Sequence, residues 1–193
     1  MMRRDEAFAA LAAVRNDAIV VPVFTSAFEW ERVSPHRWNL PATGSMGQAS
    51  SHALGLALGL PHHTVIVIDG DGSLLMNLGS LVTIGTVAPR NLIHFVADNG
   101  TYEANGSHPT PAQHGADFAG IAKAAGYRTT FTFADLATFV AELPGLMRLD
   151  GPTFATLKIV PGETPLEYDY AWMHGPETRA KFKRAVKPLL REA

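Results

Sequence analysis

Apolar positions along the chain fall into two alternating rhythms. Ala18 to Val23, Thr64 to Ile68, Leu92 to Ala97, Arg128 to Phe133 and Thr153 to Val160 are short runs that read as strands. Thr64 to Ile68 and Leu92 to Ala97 are close to continuously apolar, the mark of strands buried on both faces. Helical stretches lie between them. Gly47 to Leu60 is rich in Ala and Leu, with Gly55 and Gly59 permitting close packing. Ser73 to Val87 reads as one helix closed by Pro89. Asp117 to Ala125 has Asp as a cap and Gly126 as a stop, and Ala134 to Met147 is a further helix. Asn99 to Gln113 holds Gly, Asn, Pro and Ser and reads as a long loop. At the ends, Ala7 to Val14 predicts a short amphipathic helix, about 162 to 174 an irregular stretch, and Pro176 to Arg191 a basic helix. Strands alternating with helices predict an α/β fold: a three-layer open parallel sheet with helices on both faces. One domain is expected over 1–193, with its core at about 18–160 and a C-terminal tail and helix at about 162–193.

Composition narrows the function classes. The net charge of −2, with eight His counted neutral, leaves no electrostatic footprint for nucleic acid. The absence of Cys excludes disulfides, thiolate nucleophiles and cysteine-ligated metals, and favours the cytoplasm. Met1-Met2-Arg3-Arg4 before Ala7 to Val14 faintly resembles a signal peptide, but Asp5 and Glu6 interrupt the basic start and Arg15 and Asp17 close the run. No membrane span is expected.

The strongest candidate chemistry lies at Ile66-Val67-Ile68-Asp69-Gly70-Asp71-Gly72-Ser73, where a strand gives way to a helix. In open α/β sheets, ligands bind beyond the carboxyl ends of the strands. Gly70 and Gly72 let the backbone turn sharply and approach a ligand, and the helix starting near Ser73 offers free N–H groups to an anion such as a diphosphate. Asp71 stands where a carboxylate would hold the metal that neutralises that anion. The next strand ends at Asp98-Asn99-Gly100-Thr101, close to the first turn if the two strands are neighbours. Carboxylate, the Asn99 amide oxygen and a nearby carbonyl form an oxygen-only set suited to octahedral Mg²⁺. Gly-Asp-Gly alone is an ordinary turn, as is Asp-Asn-Gly; each following a buried strand, with one helix between, is what makes the pair specific. A dinucleotide fingerprint fails for want of its third Gly, and no Gly-Lys-Ser/Thr of a P-loop occurs.

These segments resemble the motif of thiamine diphosphate-dependent 2-oxoacid decarboxylases. The similarity is strongest to phosphonopyruvate decarboxylases and sulfopyruvate decarboxylase β subunits. It is carried by Gly44-Ser45-Met46-Gly47-Gln48-Ala49-Ser50-Ser51, Asp69-Gly70-Asp71-Gly72-Ser73-Leu74-Leu75-Met76, Pro89-Arg90-Asn91-Leu92-Ile93-His94, and Asp98-Asn99-Gly100-Thr101-Tyr102 through Gly106 to Pro109-Thr110. The resemblance implies the diphosphate-binding domain, with thiamine diphosphate and Mg²⁺ as cofactors. Asp71, Asn99 and the Thr101 carbonyl would hold the metal. Gly70, Gly72 and Ser73 would meet the diphosphate, with Thr25 and Ser26 on the loop after the first strand as further candidates. Met46 would prop the cofactor in its bent form, the Gly44 carbonyl would accept from the aminopyrimidine, and Ser45 and Tyr102 would lie beside it. The relatives carry Gly-Gly-Gln-Pro-Thr where this chain reads Gly106-Ser107-His108-Pro109-Thr110, which makes His108 a candidate proton donor. Glu103 and Asn105 also depart from the small residues usual nearby. His62, His63 and His174 read as surface residues, His94 as a core residue, and Trp30, Trp38 and Trp172 as packing.

In such enzymes a Glu from a separate pyrimidine-binding domain activates the cofactor, and the predicted sheet consumes the length available here. The implied partner is a pyrimidine-binding α-type subunit in a hetero-oligomer, and this chain alone is expected to be inactive. The implied substrate is a small anionic 2-oxoacid, a sulfonated or phosphonated pyruvate, with His36 and Arg37 as possible contacts of its anionic group. Two other functions share the motif: a β subunit of a 2-oxoacid oxidoreductase, and a non-catalytic cofactor-binding assembly subunit.

Overall fold

A computed structural model describes residues 1–42, 46–162 and 169–191. The elements are α1 Arg4–Val14, β1 Ile19–Pro22, α2 Phe24–Val33, α3 Ala49–Gly59, β2 Val65–Gly70, α4 Asp71–Leu75, α5 Gly79–Val87 and β3 Leu92–Asp98. There follow β4 Thr101–Tyr102, β5 His108–Pro109, α6 Phe118–Ala124, β6 Thr129–Phe133, α7 Leu136–Leu146, β7 Thr153–Lys158, α8 Tyr170–His174 and α9 Pro176–Val186. Five strands form one sheet in the order β1-β2-β3-β7-β6, with every neighbouring pair parallel. This is the predicted α/β architecture.

Strand periodicity explains why the central strands are apolar throughout. Val65 and Val67 of β2 face one layer with Leu92 and Val96 of β3, against Ala49, Ala53 and Ala57 of α3 and Leu81 and Ile84 of α5. Ile66 and Ile68 face the other with Ile93 and Phe95, against Phe8 and Leu11 of α1 and Phe139 and Leu143 of α7. Each strand therefore serves two cores, and no register shift leaves a polar face for water. The N-terminal run packs as helix α1, with Ala7, Phe8 and Leu11 buried. No described helix is long and apolar enough to cross a membrane.

Five local readings change. Ser73–Val87 is two helices, because the chain leaves α4 at Met76 and the Asn77 amide donates to the Gly47 carbonyl at 2.9 Å. Asn and Gly there are poor helix formers, so that tertiary bond prevails. The loop after β3 contains the β4–β5 hairpin and two 3-10 turns, Glu103–Asn105 and Pro111–His114. Helix α2 directly follows β1 and was not apparent in the sequence. The irregular stretch includes α8, while 163–168 lie outside the described residues. At the C-terminus α9 ends at Val186, and Leu189–Arg191 form a 3-10 turn. Phe182 and Val186 hold α9 on the core, leaving Lys181, Lys183, Arg184 and Lys187 exposed.

Candidate functional site

Parallel pairing of β2 with β3 sets Gly70 opposite Ala97, so both strands end at the same edge of the sheet. The two turns identified in the sequence meet there. Asp71, at the start of α4, is only 2% exposed, and the nearby N–H groups of Gly72 and Asn99 favour its charged form. The Thr110 hydroxyl donates to Asp71 Oδ2 at 2.6 Å. Burial, reinforced by Asp98, pushes the Asp71 carboxyl above the usual aspartate range, against the opposing Thr110 hydrogen bond. Asn99 Oδ1 accepts from the Thr101 N–H at 2.8 Å, bending the chain back beside Asp71.

Around this pair opens a cleft lined by Thr25, Ser26, Met46, Gly70, Gly72 and Ser73, closed on one side by Thr101, Tyr102 and Glu103. Thr25 and Ser26 lie on the first turn of α2 and not on a loop. The junction bringing them there is strained, since Phe24 has φ +43°, a region that bulky residues avoid. The Met46–Gly47 turn is fixed to α4: the Gly47 N–H donates to Ser73 Oγ at 2.9 Å, and Gly47 adopts φ +84°. Gly44 and Ser45 lie outside the described residues. At Gly72 a Cβ would stand 2.4 Å from the Tyr102 ring and 3.1 Å from Thr110 Cγ2. Gly72→Ala is therefore expected to drive Tyr102 out of the cleft, at a cost of about 1–3 kcal/mol in stability measured by urea unfolding.

The cleft fits a metal–diphosphate group. Its donors are oxygens, from Asp71, Asn99 and Thr101, beside the free N–H groups of a helix start and a glycine without room for a side chain. A roomier cavity, of about 530 Å³, lies at the opposite edge of the sheet, beside Arg15, His62 and Arg148, and has no such turn.

The structure separates the remaining candidates. His108 is exposed on β5, outside the cleft lining. His36 and Arg37 lie at the amino end of β1, where His36 Nδ1 stands 3.3 Å from Arg15 Nη2, so they do not serve the cleft. His62 and His174 are exposed, and His63 packs edge-on against Trp38. Trp30 and Trp38 are core residues, and Trp172 packs on Phe28.

His94 is fully buried beneath the Gly-Asp-Gly turn. Burial, then the nearby Asp69, holds the Tyr127 hydroxyl far above its ordinary pKa, so it keeps its proton. That hydroxyl and His94 Nδ1 are hydrogen-bonded at 3.1 Å. His94 Nε2 stands 3.6 Å from Asp69 Oδ2, and both are buried atoms with no hydrogen-bond partner among the described residues. Residues that the sequence left without a role are Thr110, Asn77, Arg4 and Glu103. Thr110, inside a quoted motif, and Glu103, which departs from the small residues usual nearby, carried a signal.

Comparison with known proteins places this geometry. Residues 22–156 match the model of the thiamine pyrophosphate enzyme C-terminal TPP binding domain. The chain is 38% identical over 148 residues to a phosphonopyruvate decarboxylase from Streptomyces viridochromogenes, covering 77% of this chain and 37% of that protein. It is 39% identical over 165 residues to the sulfopyruvate decarboxylase subunit beta of Methanothermobacter thermautotrophicus, covering 84% of each. A crystal structure from Mycobacterium smegmatis, described as a thiamin diphosphate-dependent enzyme, superposes with a TM-score of 0.71 at 26% identity, over 83% of this chain and 32% of that one. The chain thus spans little more than a third of the phosphonopyruvate decarboxylase and most of the β subunit. With its matched region running from the end of β1 into β7, the chain belongs to the family of thiamine pyrophosphate enzyme C-terminal TPP-binding domains.

Proposed function

We propose that this chain binds thiamine diphosphate and Mg²⁺ and forms the diphosphate-binding subunit of a decarboxylase acting on a sulfonated or phosphonated pyruvate. The observation that carries the reading is the meeting of Asp71 and Asn99 at the adjacent ends of β2 and β3, beside the start of α4. Bound thiamine diphosphate supplies the carbon nucleophile and the electron sink that decarboxylation of a 2-oxoacid requires. This chain's part is to hold and orient. Asp71, Asn99 and the Thr101 carbonyl would ligate the metal, and the N–H groups of Gly72 and Ser73 would receive diphosphate oxygens, with Thr25 and Ser26 alongside. Met46 would support the bent cofactor, and Tyr102 would close the cleft over it. His108, although exposed on its hairpin, is retained as the candidate proton donor.

The subunit reading is supported by the β-subunit relatives, matched over 84% and 77% of their own lengths. A pyrimidine-binding partner would supply the activating Glu. In this chain the carboxylate of Glu103 does line the cleft, but both its oxygens are engaged, by Arg4 and by the Gly162 N–H. The test is reconstitution with a pyrimidine-binding subunit, followed by product analysis with sulfopyruvate and phosphonopyruvate. Aldehyde and CO₂ are expected from the pair and neither from this chain alone. Rapid turnover by the single chain would refute the subunit assignment. An acyl thioester with a reduced carrier would point to an oxidoreductase instead. Failure to bind thiamine diphosphate with Mg²⁺, with or without a partner, would overturn the whole reading.

A further inference from the structure

Glu103 departs from the small residue expected in its loop, and the structure gives it partners far away in the chain. Its Oε2 accepts from Arg4 Nη1 of α1 at 2.5 Å, and its Oε1 accepts from the Gly162 N–H, beyond β7, at 2.7 Å. Arg4, only 9% exposed, also donates through Nε to Glu29 of α2. One guanidinium thus joins α1, α2 and the loop after β3, and Glu103 extends the connection to the segment leaving β7. Arg4 is the sole cationic side chain among the described residues of the cleft lining. Burial works against its charge, while Glu103 and then Glu29 favour it, and the net effect raises its pKa above that of an ordinary arginine.

We propose that Glu103 is a positioning residue, a latch that pins the loop from Thr101 to Thr110 against α1 and the β7 exit and so fixes the Thr101–Tyr102 wall of the cleft. This rests on the reading of the cleft as a cofactor site. Among the described residues, two side-chain anchors pin the loop. One is the Thr110 hydroxyl on Asp71, which engages the proposed metal ligand itself. The other is Glu103, which engages no proposed ligand and therefore holds independently of what Asp71 binds. Tyr102, directly before Glu103, is the residue whose ring covers Gly72. Releasing Glu103 frees the stretch that carries both the Thr101 carbonyl and that ring.

The charge count makes Glu103 the clean probe. Two carboxylates share one guanidinium, so Glu103→Ala leaves a matched Arg4–Glu29 pair, whereas loss of Arg4 would leave two part-buried carboxylates without their shared cation. The experiment compares the full chain with Glu103→Ala and Glu103→Gln by amide hydrogen exchange, and by titration of thiamine diphosphate with Mg²⁺ with and without the partner subunit. In Glu103→Ala, the Ser107 and Thr110 amides, bonded to Tyr102 and Gly100, are expected to exchange about tenfold faster or more, with β3 amides unchanged. Cofactor affinity is expected to weaken about tenfold with them. Glu103→Gln keeps one acceptor, its amide oxygen, and sets an amide N–H against the other donor, so it is expected to recover only part of each loss. Unchanged loop exchange in Glu103→Ala overturns the latch. Faster exchange with wild-type cofactor affinity overturns the positioning role. If the wild-type chain binds no cofactor in either setting, the function proposed above fails, and loop exchange alone then decides the latch.

Discussion

Asp71→Asn is expected to remove metal-dependent retention of thiamine diphosphate while leaving the fold intact. Loss of a ligand should exceed the roughly 10–100-fold loss of affinity typical for an outer-shell partner, so a drop of more than about 100-fold is expected by calorimetric titration. The metal-free chain should respond in the opposite sense. Burial raises the Asp71 pKa in the folded state, so the folded chain binds a proton more readily there than the unfolded chain does. Stability associated with this group is then present at low pH and is lost as pH rises from the ordinary aspartate value, about 3.9, through the raised folded value. Asn carries no charge to penalise. Metal-free Asp71→Asn should therefore unfold at a higher temperature than wild type at neutral pH, and the gain should vanish below about pH 4. Metal reverses the preference by favouring the carboxylate. Wild-type metal affinity should accordingly fall on acidification at a higher pH than an ordinary aspartate would show. An Asp71→Asn chain that still binds Mg²⁺ and cofactor tightly would remove Asp71 from the ligand set.

The second large effect is on stability. His94→Leu is expected to destabilise the chain by about 3 kcal/mol, read as the shift in a urea unfolding curve. The loss would not come from volume, because Leu fills a comparable space against Phe154, which packs edge-on to His94. It would come from Asp69 Oδ2, fully buried with His94 Nε2 3.6 Å away, and from the Tyr127 hydroxyl, which loses its hydrogen-bond partner. Asp69→Asn in the His94→Leu background should recover at least about 1 kcal/mol, because an amide is less costly than a carboxylate to leave poorly partnered in the core. A loss below about 1 kcal/mol in the single variant would show that the Asp69–His94 approach contributes little to the fold.

The parts of the molecule legible in the sequence are those set by local pattern. Val65 to Ile68 and Leu92 to Ala97 were readable because both faces of each strand are buried, which suppresses polar alternation. The Asp117 cap was readable because its side chain bonds three residues ahead, to the Gly120 N–H, and Gly126 because it stands at φ +104°. The Asp71–Asn99 pairing followed once β2 and β3 were taken as neighbours. Helix α2 was hidden because it begins at a strained Phe24 with no side-chain cap. The break at Asn77 depends on a bond to Gly47, and the role of Glu103 on partners at Arg4 and Gly162. Such long-range polar contacts leave no periodicity to read. Thr25 and Ser26 were found as candidates, yet on the wrong element, for the same reason that α2 was missed.

The strand order carries a consequence for how the chain is made. β1, β2 and β3 are consecutive in sequence and adjacent in the sheet, so they are free to pair as soon as they leave the ribosome. β3 must then wait for β7, which inserts between β3 and β6 and sets Asp98 beside Lys158. Until then one whole edge of a strand buried along its entire length stands open, a template for another chain. The strand that leads into Asn99 is thus also open to misassembly until β7 arrives.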